Sequence, residues 1–285
     1  MEPVAPLAPW LEPRLSRLDA FLTSALADAW PPRFAEAVAY PVFGGGKRVR
    51  PALVFAAFEA VAGAVDPEPA IAAAAAVELV HTYSLVHDDL PCMDDDDTRR
   101  GRPTVHKRYG DGPAVLVGDA LLTEAFAALA RSPVAAELRI EMVRALADAA
   151  GHRGMVGGQA ADVGLGGPVV ELDALRRLHA GKTGALITAA AVLGGLTAGA
   201  APEALGALER YGRAIGLAFQ LADDVLDADQ DSGDDGPPSF VRLLGVDATR
   251  AEAVALMEQA SSEVRSLRRP DVLLAIARFV VDRDH

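Results

Sequence analysis

The sequence predicts an all-α fold, on three observations. Apolar residues recur at helical spacing through most of the chain, while few segments alternate with period two. Ala, Leu and Glu, all good helix formers, dominate those segments, and Gly and Pro fall mostly between them. Hydrophobic residues make up 51% of the 285 positions, which supplies ample material for a helical core.

Taken in order, helices are predicted over 15–27, 33–40, 51–62, 69–87, 112–130, 134–151, 154–163, 171–193, 202–229, 249–267 and 270–281. The third opens at Pro51 behind Gly44, Gly45 and Gly46, and the fourth stops before Pro91. The fifth opens at Gly112, the sixth ends on Gly151, and the seventh starts at Gly154. Pro202 and Pro270 open the ninth and eleventh, and 229–238 is the obvious irregular loop. No long linker and no fixed-period repeat is visible, so residues 1–285 read as a single domain, a bundle around one cavity.

Net charge excludes one class of partner. At −13 the chain lacks the basic surface that a nucleic-acid backbone requires, although a small phosphorylated ligand remains compatible if cations neutralise it. The single cysteine, Cys92, cannot form an internal disulfide, and the first thirty residues lack a signal pattern, so a cytoplasmic protein is expected. The longest apolar stretches, 71–77 and 189–198, fall short of the roughly 20 residues of a membrane span.

Two acidic clusters interrupt this apolar background: Asp88, Asp89 and Asp94, then Asp223, Asp224 and Asp227. Buried carboxylates need compensation, and an all-oxygen ligand set without Cys or His suits hard Mg²⁺, which commonly shares its shell with substrate phosphates. Asp223 and Asp227 lie one helical turn apart on one face, with Asp224 flanking them. In the first cluster Pro91 should end the helix and a turn should bring Asp94 back toward Asp88. The run Asp94 to Asp97 also fits a solvated loop.

Basic and polar residues complete the pattern. Arg99, Arg100 and Arg102 follow the first cluster and suit phosphate oxygens, though they also fit a surface network with the aspartates. Gly46, Lys47 and Arg50 belong to a glycine-rich loop opening into a helix N-terminus, which attracts anions. His81 lies two turns before Asp88 on nearly the same face and also fits a structural hydrogen-bonding role. Lys182, Thr183 and Gln220 intrude into apolar helices, as do Gln159 and Asp162 three residues apart.

Five blocks in order resemble the short-chain trans-polyprenyl diphosphate synthases, particularly the bacterial farnesyl type, over nearly the whole chain. They are Gly45–Pro51, the run His81–His87 leading into the first aspartates, Arg99–Thr104, Gly181–Gly184, and Phe219–Asp224. The resemblance implies the isoprenoid-synthase helical bundle, a homodimer, and condensation of isopentenyl diphosphate with dimethylallyl or geranyl diphosphate. It implies metal ligation by Asp88, Asp89, Asp94, Asp223, Asp224 and Asp227, with three Mg²⁺ ions when substrate is bound. It implies that Arg99 helps neutralise the departing diphosphate, and that Gly46, Lys47, Arg50, His81 and Arg100 bind isopentenyl diphosphate. Lys182, Thr183 and Gln220 would line the junction, and the released diphosphate would take the proton.

In this family the growing chain extends down the cavity from the first aspartate motif. Tyr83, fifth before Asp88, then forms a floor roughly one to two helical turns below the metals, which predicts a farnesyl product. Geranylgeranyl diphosphate synthase and a noncatalytic partner subunit are the alternatives. One departure stands out: Pro237 replaces a loop lysine of the family, and Asp231, Asp234 and Asp235 add negative charge there.

Overall fold

A computed structural model describes residues 7–63, 66–228 and 238–282. Within them run α1 (Ala8–Leu26), α2 (Pro32–Val42), α3 (Val49–Ala62), α4 (Ile71–Asp88), α5 (Val105–Tyr109), α6 (Asp111–Ala130) and α7 (Ala136–Ala150). There follow α8 (Met155–Asp162), α9 (Leu172–His179), α10 (Ala185–Thr197), α11 (Pro202–Asp227), α12 (Phe240–Leu244), α13 (Val246–Val264) and α14 (Asp271–Asp282). A 3₁₀ turn, Glu68–Ala70, feeds α4, and a π-helical turn, Ala180–Gly184, joins α9 to α10. The extended structure among the described residues is one antiparallel pair, β1 (Thr98–Arg99) and β2 (Arg102–Pro103). The all-α expectation is met.

The centre is built from helices that are apolar all round. Residues 51–60 of α3 and 71–80 of α4 are buried without a break, and most of α10 is buried too, so these helices have no polar stripe to expose. Helix α4 packs along α6, α10 lies against both α3 and α11, and α11 packs along α13. Amphipathic α1 closes one side through Leu11, Leu18, Leu22 and Leu26. Helices α4 and α6, extended to Glu68–Asp88 and Asp111–Ala130, are long and apolar enough to cross a membrane by length and composition. The first is 78% buried in the core, whereas the second is 39% buried and leaves Val115 and Leu116 exposed.

Boundaries depart from expectation where short-range signals mislead. Helix α1 begins at Ala8 and runs through Pro13, because the Leu stripe gains more by burial than one missing backbone bond loses. The predicted helix over 171–193 is interrupted by the π turn. Helices α5 and α12 have five residues each and the strands two, too short to register as a period. The loop 229–238 lies outside the described residues up to 237, and with it Asp231, Asp234, Asp235 and Pro237.

Candidate active site

The α2–α3 loop forms one wall. Gly45 and Gly46 take positive φ, as does Arg48 at the start of α3, and Pro51 sits in the first helical turn, where no backbone N–H is needed. A Cβ at Gly46 would fall 2.7 Å from Nη1 of Arg100, so only glycine admits that guanidinium, which donates to the carbonyl of Gly45. Arg48 is buried, donating to Glu78 of α4 at 2.5 Å and to the carbonyl of Val42 at 2.7 Å. That pair pins the loop against α4.

Behind the loop is a nest of cations. Gly46, Lys47, Arg50, His81, Arg100, Thr183, Gln220 and Asp223 line one cavity of about 360 Å³, in which the sequence-predicted isopentenyl-binding residues meet members of the other groups. Burial, then the neighbouring charges of Arg50, Arg100, Arg48 and Arg99, push His81 well below its ordinary range. Burial and Arg100 also lower Arg50, against the pull of Glu78. The Nε of Arg50 is buried without a hydrogen-bond partner among the described residues. A site this rich in cations, with its histidine neutral, is arranged for an anion.

The first acidic cluster closes as its sequence predicts. Pro91 has no N–H to continue α4, and the chain turns so that the Asp94 N–H donates to the Asp88 carbonyl at 2.8 Å. Asp88 is half-buried, and burial together with the charges of Asp94 and Asp89 outweighs Lys182 and Arg99, raising its carboxyl to about 6. Arg99 donates to Asp89 at 2.5 Å and to Asp96 at 2.9 Å, so this arginine joins the acidic network. Arg100 does not, since it turns to the anion cavity, and Arg102 lies over the Tyr40 ring at 4.2 Å. Tyr83 is buried, packs edge-on against His87 at 5.8 Å between ring centroids, and is pushed up to about 12 by burial and by Asp88.

The π turn presents Lys182 and Thr183 between the two clusters. One extra residue in the turn swings their side chains off the register of α9, a local device frequent at functional sites. It fits only because Gly158 of α8 touches it: a Cβ there would lie 2.1 Å from the Lys182 backbone nitrogen. Lys182 pairs with Asp162 of α8, and Thr183 donates to the side-chain Oε1 of Gln220 at 3.4 Å. Gln220 in turn donates to Asp224 at 3.1 Å, and the Phe240 N–H donates to the other oxygen of Asp224 at 2.7 Å.

Asp223 and Asp227 lie one helical turn apart on α11 but border different cavities. Asp223 lines the anion cavity, whereas Asp224 and Asp227 line a second cavity of about 870 Å³ with Asp162, His179 and Ser239, and Gln220 borders both. On a helix, residues three and four apart flank the same stripe, so a wall between cavities can separate them. Among the described residues, three metal-ligating atoms approach within 4.8 Å of one another only at Asp95, Asp97 and His106; Asp97 is already paired with Lys107 at 2.7 Å. No three of the six predicted aspartates bring oxygens that close together. Sequence reasoning missed Glu78, Gly158 and His179 as site residues. Each lay in a predicted helix without a partner in view, and only the fold supplies the partners.

With this arrangement in hand, the chain belongs to the polyprenyl synthetase family, whose model matches residues 31–270. It is a trans-prenyltransferase of the short-chain kind. It is 43% identical to the farnesyl diphosphate synthase of Escherichia coli K12 over 87% of this chain and 89% of that one. It is 42% identical to geranylgeranyl pyrophosphate synthase 12 of Arabidopsis thaliana over 87% of this chain and 73% of that protein. The apo crystal structure of a FPP/GFPP synthase from Zymomonas mobilis superposes with a TM-score of 0.89 at 40% identity, covering 97% of this chain and 99% of the other.

Proposed function

We propose that this enzyme joins isopentenyl diphosphate to dimethylallyl or geranyl diphosphate and releases farnesyl diphosphate. The cation nest around neutral His81 carries the reading, because it asks for a diphosphate held by side chains alone. Lys47, Arg50 and Arg100 bind that diphosphate, with His81 donating a hydrogen bond and Gly46 leaving room for Arg100. Thr183 and Gln220, bordering the same cavity, face the carbon that becomes cationic.

The allylic diphosphate sits at the aspartates. Their donor set is all carboxylate oxygen, which fits hard magnesium. Asp88, Asp89, Asp94, Asp223, Asp224 and Asp227 would hold it, as three ions when substrate is present. Bound there, magnesium would neutralise the leaving diphosphate and so favour ionisation of the allylic C–O bond. Lys182 and Arg99 add positive charge beside Asp88. The double bond of isopentenyl diphosphate attacks the cation, and the released diphosphate accepts the proton lost from the product.

Similarity to both farnesyl and geranylgeranyl synthases leaves chain length to the floor. The Tyr83 ring is buried about 7.5 Å along α4 from Asp88, a depth that favours the C15 product. Helix α6, with Val115 and Leu116 exposed, is the face on which a homodimer would form.

Purified protein with Mg²⁺ and both substrates is expected to yield the farnesyl product, and Asp88→Ala to abolish it. Binding of both substrates without extension would instead favour a noncatalytic partner subunit. Tyr83→Ala is expected to lengthen the product to C20, and an unchanged C15 profile would reject the floor.

A further inference from the structure

The half-buried imidazole of His179 has no part in the chemistry above. It ends α9 immediately before the π turn, lines the 870 Å³ cavity with Asp162, Gln220, Asp224 and Asp227, and packs on the Phe240 ring at 5.5 Å. Neither ring nitrogen touches solvent or makes a well-aligned hydrogen bond among the described residues. The Gln220 side chain lies within polar reach of the ring, and the charges of Asp224, Asp162 and Lys182 all reach it. Packing alone does not account for a histidine here, because phenylalanine would fill the space without leaving two buried nitrogens unpaired.

Both residues that His179 touches hold Asp224. Phe240 donates its backbone N–H to one carboxylate oxygen and Gln220 its side-chain N–H to the other. We propose that His179 is a positioning residue for the second aspartate cluster: by fixing Phe240 and Gln220 it orients Asp224, and so sets the affinity of that cluster for a divalent cation bound with diphosphate. The proposal rests on the prenyl-elongase reading for the identity of the cation. Groups that orient a metal ligand from behind typically change affinity by 10- to 100-fold when removed.

The test uses the full-length protein and Mn²⁺ with inorganic diphosphate, followed by electron paramagnetic resonance, which needs no turnover. His179→Phe, which keeps the ring on Phe240, is expected to melt like wild type yet bind Mn²⁺ about 10-fold more weakly. The Mg²⁺ concentration for half-maximal condensation should rise by the same factor, with KM for isopentenyl diphosphate unchanged. His179→Asn, which restores a donor and an acceptor, is expected to recover part of the loss. Wild-type Mn²⁺ affinity in His179→Phe overturns the proposal even if the protein condenses its substrates normally. Weakened Mn²⁺ binding in His179→Phe, with no condensation by wild type, supports the proposal while rejecting the elongase reading.

Discussion

Gly158→Ala should damage chemistry far more than binding. The new Cβ would lie 2.1 Å from the Lys182 nitrogen, 2.7 Å from its Cα and 2.8 Å from the carbonyl carbon of Gly181, against 3.4 Å for ordinary contact. All three obstacles are backbone, so no rotamer change relieves them; α8 or the π turn must retreat by about 1 Å. The turn carries Lys182 and Thr183, and misplacing a reacting group by about 1 Å costs on the order of 100-fold. The overpacking itself should destabilise the fold by roughly 1–3 kcal/mol. Steady-state kinetics with thermal melting separates the two effects: kcat is expected to fall about 100-fold while KM for isopentenyl diphosphate holds, since the cation nest lies on other elements. A folded Gly158→Ala enzyme with wild-type kcat would refute the role given to the π turn.

Gly118→Ala should strike the floor from behind, because its Cβ would meet Nε2 of His87 at 2.0 Å and expel the ring from its 3.1 Å contact with the Val115 carbonyl; gas chromatography of the products should then reveal longer chains as Tyr83 loses its brace. Under the proposed homodimer across α6, Leu116→Glu puts a charge on that exposed face and should halve the mass in light scattering, and a mass unchanged by the substitution would reject α6 as the contact. Asp88, with its carboxyl raised from 3.8 to about 6, contributes stability that is complete below pH 3.8 and lost as pH rises through about 6. Metal-free Asp88→Asn should therefore melt above wild type at pH 7 and converge with it as pH falls toward 4; a gap independent of pH would contradict the burial of Asp88.

How much of this was legible before the fold was known depends on the range of each interaction. The turn at Pro91 that returns Asp94 to Asp88 follows from one missing N–H, and the start of α3 two residues before Pro51 from one proline tolerated in a first turn, so both could be read locally. Arg99, Arg100 and Arg102 are neighbours in sequence but take three different partners, Asp89, the Gly45 carbonyl and the Tyr40 ring. The β1–β2 pair sends them apart, and nothing at that spacing announces a two-residue strand. The π turn was invisible to periodicity because one inserted residue in a long apolar helix shifts the phase only slightly. Its one available sign was the set of glycines at 158, 181, 184 and 216, since Gly158 meets Gly181 and Lys182, and Gly216 meets Gly184.

Under the proposed function the two diphosphates meet opposite electrostatics, a cation nest on one side and a carboxylate cluster on the other. The cation nest is finished: the buried Arg48–Glu78 pair locks its loop, and burial has already stripped His81 of its proton. The acidic side is poised, with Asp88 at about 6 and Lys182 paired to Asp162. A lysine held by an aspartate turns to a phosphate more readily once that aspartate no longer holds it. Under the proposed function, Lys182 would leave Asp162 for the allylic diphosphate, whose charge competes with that of the carboxylate. Asp162→Asn separates this ordering from a fixed site. Releasing Lys182 in advance, it should strengthen binding of inorganic diphosphate without Mg²⁺ by calorimetry, and equal affinity in mutant and wild type would mean that the Lys182–Asp162 pair does not restrain the site.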